Sequence, residues 1–230
     1  MASYKTGHLS YGRYMLRTNP AFLQFMEQFT AGSSDGEQVA IKTFDTGAKL
    51  IHQGDSIRHV YVIREGITKC YIAEDNGKDY IFEFLGKGEI TGELEGIRKE
   101  KCLCNIEAIT PVTAYAIPHT LFSWLLLHNQ PFNRLLLEEL AIRIRQTCIR
   151  ASYQQLYPIE YALLRLLALE AEQDIVILKK DMASYLGITI RSFNRTLKEL
   201  RAKNILDPKG LNIDLSKKQL DEILRRFEEL

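Results

Sequence analysis

Seven of the chain's 14 glycines fall between residues 47 and 92, at Gly47, Gly54, Gly66, Gly77, Gly86, Gly88 and Gly92. They cut a region rich in β-branched and aromatic residues into short runs. The clearest strands are "HVYVI" (59–63), "ITKCYIA" (67–73) and "DYIFEFL" (79–85). Between the last two lies "EDNGK", whose Asn76-Gly77 pair favours the tight turn of a hairpin. Turns recurring at such short intervals imply an antiparallel roll or barrel over roughly residues 39–118.

Pro118 closes that region and the pattern becomes helical. "HTLFSWLLLHN" and then residues 131–156 read as helices. In the second, Leu137, Leu140, Ile144, Cys148 and Ala151 recur at three- and four-residue steps as one apolar stripe. Packing on its own domain would satisfy such a stripe. A helix this long beside a small roll is more economically buried against a second copy of itself, coiled-coil fashion, so a dimerisation helix is expected. Pro158 then breaks the chain and is a natural hinge. An amphipathic helix over 158–174, a short strand "IVIL" (175–178) and the stretch "KKDMASYLGITIRSFNRTLKELRAKNIL" (179–206) follow. "NILDPKGLNIDL" reads as two short strands about a Pro-Lys-Gly turn, and Ser216 is placed to cap a last helix. Ahead of the roll, Asn19 and Pro20 introduce the helix "NPAFLQFMEQF".

The expected class is α+β, in four parts. These are an N-terminal helical segment (1–38), a β-roll (39–128), a dimerisation helix (129–157) and a winged helix-turn-helix (158–230). With 230 residues and 46% of them hydrophobic, the chain can bury a real core. The opening residues lack the apolar stretch of a secretion signal, and "LFSWLLL" is far short of a membrane span. Four cysteines in a chain of this length do not make a disulfide framework. A cytoplasmic protein with no membrane association is expected.

The net charge of +1 gives the whole molecule no strong pull on nucleic acid, so any electrostatic site must be local. One exists. From Lys179 to Gly210 there are eight basic residues against three acidic. On a helical wheel of about 100° per residue, Phe193, Leu197 and Leu200 form one stripe, and Arg191, Arg195 and Lys198 lie on the opposite face. Ile190, Ser192 and Asn194 belong to the same contact helix, and Thr189 is a good N-cap. Arginine and asparagine form the bidentate pairs that read base edges, while lysine suits phosphate. Ala183 and Gly187 allow the close crossing and left-handed turn that a helix-turn-helix needs. A solvated helical hairpin would also carry a basic strip. The turn spacing, opposed stripes and following wing together favour a reader of double-stranded DNA.

A glycine-punctuated roll, a long helix and a C-terminal winged helix-turn-helix, in that order, resemble the cyclic-AMP receptor/FNR (Crp/Fnr) family of bacterial transcription regulators. The resemblance covers about residues 40–215 and rests on "LIHQGD" (50–55), "VYVIREGITKCY", "GKGEITGELEG" (86–96) and "LGITIRSFNRTLKELRAKNIL". It implies a roll like the cyclic-nucleotide-binding jelly roll, a homodimer on a palindromic promoter site, contact with RNA polymerase, and control by a signal at the roll. It also implies that Arg195 contacts a guanine. The family's usual glutamate earlier in that helix aligns with Arg191, which reverses the charge. Together with the departures at Ile190, Ser192 and Asn194, this points to a distinct operator.

The effector hollow departs from the family further. Members that bind cyclic AMP hold the ribose with a Gly-Glu-Leu turn and the phosphate with an Arg-Ser pair. Gly92, Glu93 and Leu94 keep the first, but the pair aligns with Cys102 and Leu103. Without the arginine a buried phosphate loses a charge-assisted bidentate bond, and Lys99 and Lys101 are poor substitutes for a fixed guanidinium. Cyclic AMP is therefore not expected as effector, no cofactor is expected, and the small-molecule signal stays open. The iron–sulfur cysteines of the FNR branch are absent, since no cysteine precedes Cys70. Cys102 and Cys104 form a Cys-x-Cys on an expected strand and read as small buried hydrophobes. Two rival classes are weaker. A cupin-like metalloenzyme needs clustered histidines, but His52, His59 and His119 are widely separated and no metal is expected. A sensory or scaffolding protein could use the winged helix to bind a protein partner.

Overall fold

The turn-punctuated region folds into two sheets, and its strands bury their side chains in two apolar cores. The computed structural model describes residues 15–32, 34–173 and 175–228. Residues 1–14, which include His8 and the stretch read for a secretion signal, lie outside the described residues. Nine strands form the sheets: β1 (Leu16–Arg17), β2 (Ala40–Phe44), β3 (Lys49–Ile51), β4 (His59–Glu65), β5 (Thr68–Ala73), β6 (Asp79–Leu85), β7 (Ile90–Thr91), β8 (Asn105–Ala108) and β9 (Val112–Pro118). One sheet has the order β1-β6-β5-β8-β3, the other β2-β9-β4-β7. Every pairing is antiparallel except that of β1 with β6, which is parallel. The β5–β6 hairpin closes at Gly77 with φ 75°, and the Lys78 amide donates to the Asn76 side-chain oxygen at 3.0 Å.

Eight helices complete the described residues: α1 (Pro20–Gly32), α2 (Glu93–Arg98), α3 (His119–His128), α4 (Gln130–Leu156), α5 (Ile159–Gln173), α6 (Lys179–Tyr185), α7 (Ile190–Ala202) and α8 (Lys217–Glu228). Asn19 caps α1, accepting the Phe22 amide at 2.9 Å, and Pro20 opens it where a missing N–H costs nothing.

The two-residue period of β4 sends Val60 and Val62 into one core and Tyr61 and Ile63 into another. The first core lies under α1, α3 and the start of α4, where Phe22, Phe122 and Phe132 meet edge to face. The second fills the space between the sheets with Ile51, Leu85, Cys102 and Ile106. Arg17 on β1 is buried against three carboxylates, Glu83 at 3.5 Å, Glu89 at 3.3 Å and Glu139 of α4. Removing this guanidinium would strand two buried carboxylates, which costs about 3–5 kcal/mol in such sites.

Contacts divide the chain into two compact units. One comprises Leu16–Ile142 with Ile177–Phe193; the other comprises Arg143–Val176 and the residues from Asn194 on, with Met15. In the second, α5 and α8 pack together, Tyr161 meeting Phe227 edge to face at 6.0 Å. Arg165 lies 4.9 Å over the Tyr153 ring and donates to the Tyr161 hydroxyl at 2.9 Å.

Two local expectations need correction. "IVIL" takes no part in either sheet: Ile177 is buried, but Val176 and Leu178 face solvent and the Leu178 carbonyl already accepts from α6. Cys102 and Cys104 do not lie on a strand. The Cys102 backbone pairs with Asp55 and Gly54 of a loop, so β8 begins only at Asn105.

Candidate nucleic-acid interface

The turn between α6 and α7 is built by backbone hydrogen bonds. Gly187 takes φ 69°, its amide donates to the Ser184 carbonyl at 3.2 Å, and the Ile188 amide donates to Ala183 at 3.0 Å. This is the double closure of a helix end that glycine's left-handed conformation permits. Thr189 then starts α7, its hydroxyl accepting the Ser192 amide at 3.1 Å.

On α7, Phe193, Leu197 and Leu200 are buried, and so is Thr196, a residue the apolar stripe did not include. Thr189, Ile190, Arg191, Asn194, Arg195 and Lys198 are exposed, and Ser192 is half-buried. One helix therefore offers two guanidinium groups, an ammonium and an amide on the face opposite its packing face. Arg195 keeps only a loose contact with Glu199, at 3.8 Å, so its fork can turn outward. Arg201 is different: it donates to the carbonyls of Asp207 and Gly210 at 3.2 and 2.7 Å and holds the wing to the end of α7. The wing is smaller than the two strands expected, a single bridge between Leu206 and Ile213. Asp207 fixes its turn, accepting the amides of Lys209 and Gly210, and these bonds hold its carboxyl below the usual carboxylate range.

The candidate effector residues occupy α2 and the loop before β8. Gly92 stands at φ 84°, where an added Cβ would meet Ile57 and Ile51 at 2.9 and 3.0 Å. Glu93 is buried and Leu94 exposed at the start of α2. The loop is tied to α2 through Glu95, which accepts the Leu103 amide at 3.0 Å and is a link that sequence reasoning missed. Cys102 is buried and Leu103 exposed. Burial, with Glu95 and Asp55 nearby, pushes the Cys102 thiol up to about 11, so it stays protonated near neutral pH. Lys99 and Lys101 point to solvent.

On α4, Leu137 and Ile144 are 62% and 66% exposed, Cys148 and Ala151 are exposed, and Leu140 alone is partly covered. The adjoining face carries Phe132, Leu136 and Glu139 into the roll. Among the described residues no helix is long and apolar enough to cross a membrane.

Residues 41–129 match the model of the cyclic nucleotide-binding domain, and residues 161–223 match that of the Crp-like helix-turn-helix domain. The chain is 28% identical to the probable transcriptional regulator flp of Lacticaseibacillus casei, over 69% of this chain and 75% of that one. It is 23% identical to the cAMP-activated global transcriptional regulator CRP of Salmonella typhimurium, over 75% and 88%. Among solved structures, a Crp/Fnr-family regulator from Eubacterium rectale superposes with a TM-score of 0.72 at 14% identity, covering 87% of this chain and 94% of that one. The c-di-GMP responsive regulator CLP of Xanthomonas campestris gives 0.70 at 19%, covering 83% and 97%. With both domain types in the family's order, a fold shared along most of their length and a DNA-binding helix-turn-helix, this chain belongs to the Crp/Fnr family of transcriptional regulators.

Proposed function

We propose that the protein is a sequence-specific regulator that binds a palindromic promoter site as a homodimer and reads it with α7. The observation that carries this reading is the exposed strip Arg191, Asn194, Arg195 and Lys198 opposite a fully buried face. Arg195 and Arg191 carry the forked donors that suit guanine edges, Asn194 the amide that suits an adenine, and Lys198 the ammonium that suits a phosphate. Thr189, Ile190 and Ser192 line the entry of the helix. The exposed stripe on α4 supports the dimer, since Leu137, Ile144, Cys148 and Ala151 present apolar surface that a second copy would cover, with Leu140 at its edge. The family resemblance supports contact with RNA polymerase and a cytoplasmic setting as part of this reading.

The candidate effector residues Gly92, Glu93, Leu94, Cys102 and Leu103 do not hold cyclic AMP in this reading. A thiol and an exposed leucine stand where a phosphate needs an arginine, and two buried glutamates, Glu93 and Glu95, add negative charge nearby. Any effector there is a different molecule.

Selection of duplexes from a random library by the purified protein tests the proposal. An inverted repeat with half-site centres about one helical turn, ~34 Å, apart is expected. Recovery of no preferred sequence, or of a single unrepeated site, would refute it.

A further inference from the structure

The first helix of the turn does not stand alone; it is seated on the roll through one shared ammonium. Lys69 of β5 lies 3.1 Å from Glu107 of β8 and 3.0 Å from Asp181 of α6. All three groups are largely covered, with side-chain exposures of 13%, 20% and 9%. Burial alone would lower the Lys69 pKa, but the hydrogen bonds and charges of Asp181 and Glu107 outweigh it and raise it. Tyr71 donates to the second Glu107 oxygen at 2.8 Å and holds that carboxylate in place.

Around this ion pair the seat is close-packed. The Tyr185 ring lies 5.6 Å from that of Phe84 on β6. Gly187, the turn residue, lies so near Tyr80 that an added Cβ would fall 3.2 Å from the ring. Lys180 approaches Asp79 at 4.0 Å, but this pair is too exposed to matter much. Arg191, at the start of α7 in the same compact unit, stays exposed.

We propose that Lys69 is a positioning residue for DNA recognition: by sharing its charge between Glu107 and Asp181 it seats α6 on β5 and β6, and so fixes the direction in which α7 leaves the turn. A dimer needs both recognition helices held at one spacing. Glu107 sits on the strand that follows the Cys102–Leu103 loop, so a change in that loop has a short path to the seat. Without the ammonium, Glu107 and Asp181 become two covered carboxylates repelling across the contact. This inference rests on the DNA-reading proposal above.

The test measures affinity of wild type, Lys69→Met, Lys69→Arg and Asp181→Asn for the selected operator and for random duplex, with thermal unfolding run alongside. Lys69→Met is expected to bind the operator about tenfold more weakly and random duplex unchanged, because a lost orientation costs only the binding that needs both half-sites in register. Lys69→Arg should retain operator affinity. Asp181→Asn, which removes a charge without creating repulsion, should weaken operator binding less than Lys69→Met, and the Lys69→Met/Asp181→Asn double variant should lose no more than Lys69→Met alone. Should Lys69→Met fail to fold, the Asp181→Asn comparison decides in its place. Operator affinity within twofold of wild type in both Lys69→Met and Asp181→Asn would overturn the inference, as would tighter binding or an equal loss on both duplexes in Lys69→Met. Wild-type protein without salt-dependent DNA binding would instead overturn the DNA reading, and this inference with it.

Discussion

Arg195 and Lys198 sit one turn apart on α7 and both face solvent, yet they should fail differently when removed. On the proposed reading Arg195 is a base reader, so Arg195→Ala should cost roughly 1–3 kcal/mol on the selected operator and relax specificity at one position per half-site. Lys198 is proposed to meet a phosphate, so Lys198→Ala should weaken all sequences alike while flattening the salt dependence. Competition binding with operators varied base by base separates the two, and an equal loss for Arg195→Ala on every duplex would strike it from the base readers. Isothermal titration with cyclic AMP and cyclic GMP should show no binding tighter than about millimolar, because Cys102 and Leu103 offer no arginine fork. A micromolar constant abolished by Glu93→Ala would contradict this. Both proposals start from the sequence itself, one from helical spacing and the other from a short motif. The Arg17 cluster and the Lys69 seat were not legible there: their partners lie between 38 and 122 residues apart in the chain, and nothing local marks the match.

At the level of elements, periodicity served where packing is one-sided. The amphipathic α7, the hairpin at Asn76-Gly77 and the caps at Asn19, Thr189 and Ser216 were all visible, because each depends on residues within a few positions. "IVIL" misled because β-branched composition records only fitness for a sheet, and no ladder runs beside it. The parallel pairing of β1 with β6 was hidden for the opposite reason, since a two-residue strand has no pattern of its own. On α4 the stripe was visible, but which part of it the roll would cover was not: Leu140 packs on the core while Leu137 and Ile144 stay outside. A second copy is their expected cover. Ile144→Glu would put a charge into that seam and should cost several kcal/mol of dimer stability. Sedimentation should show monomer, and a dimer retaining full DNA affinity would remove α4 from the interface.

Taken as a whole, the molecule has almost no net charge, yet it concentrates basic residues on one small module. That contrast is what the DNA reading explains and what a protein-binding winged helix would not require. A neutral body also means that binding strength should come from the contacts of α7 and its wing, so the salt response counts those contacts directly. The deciding measurement is the affinity of the purified protein for its selected operator and for random duplex over a range of salt. The account predicts that both affinities fall steeply and log-linearly as salt rises, with the operator bound roughly 10³-fold or more tightly than random duplex throughout. Equal affinity for the two duplexes, or binding indifferent to salt, would contradict it.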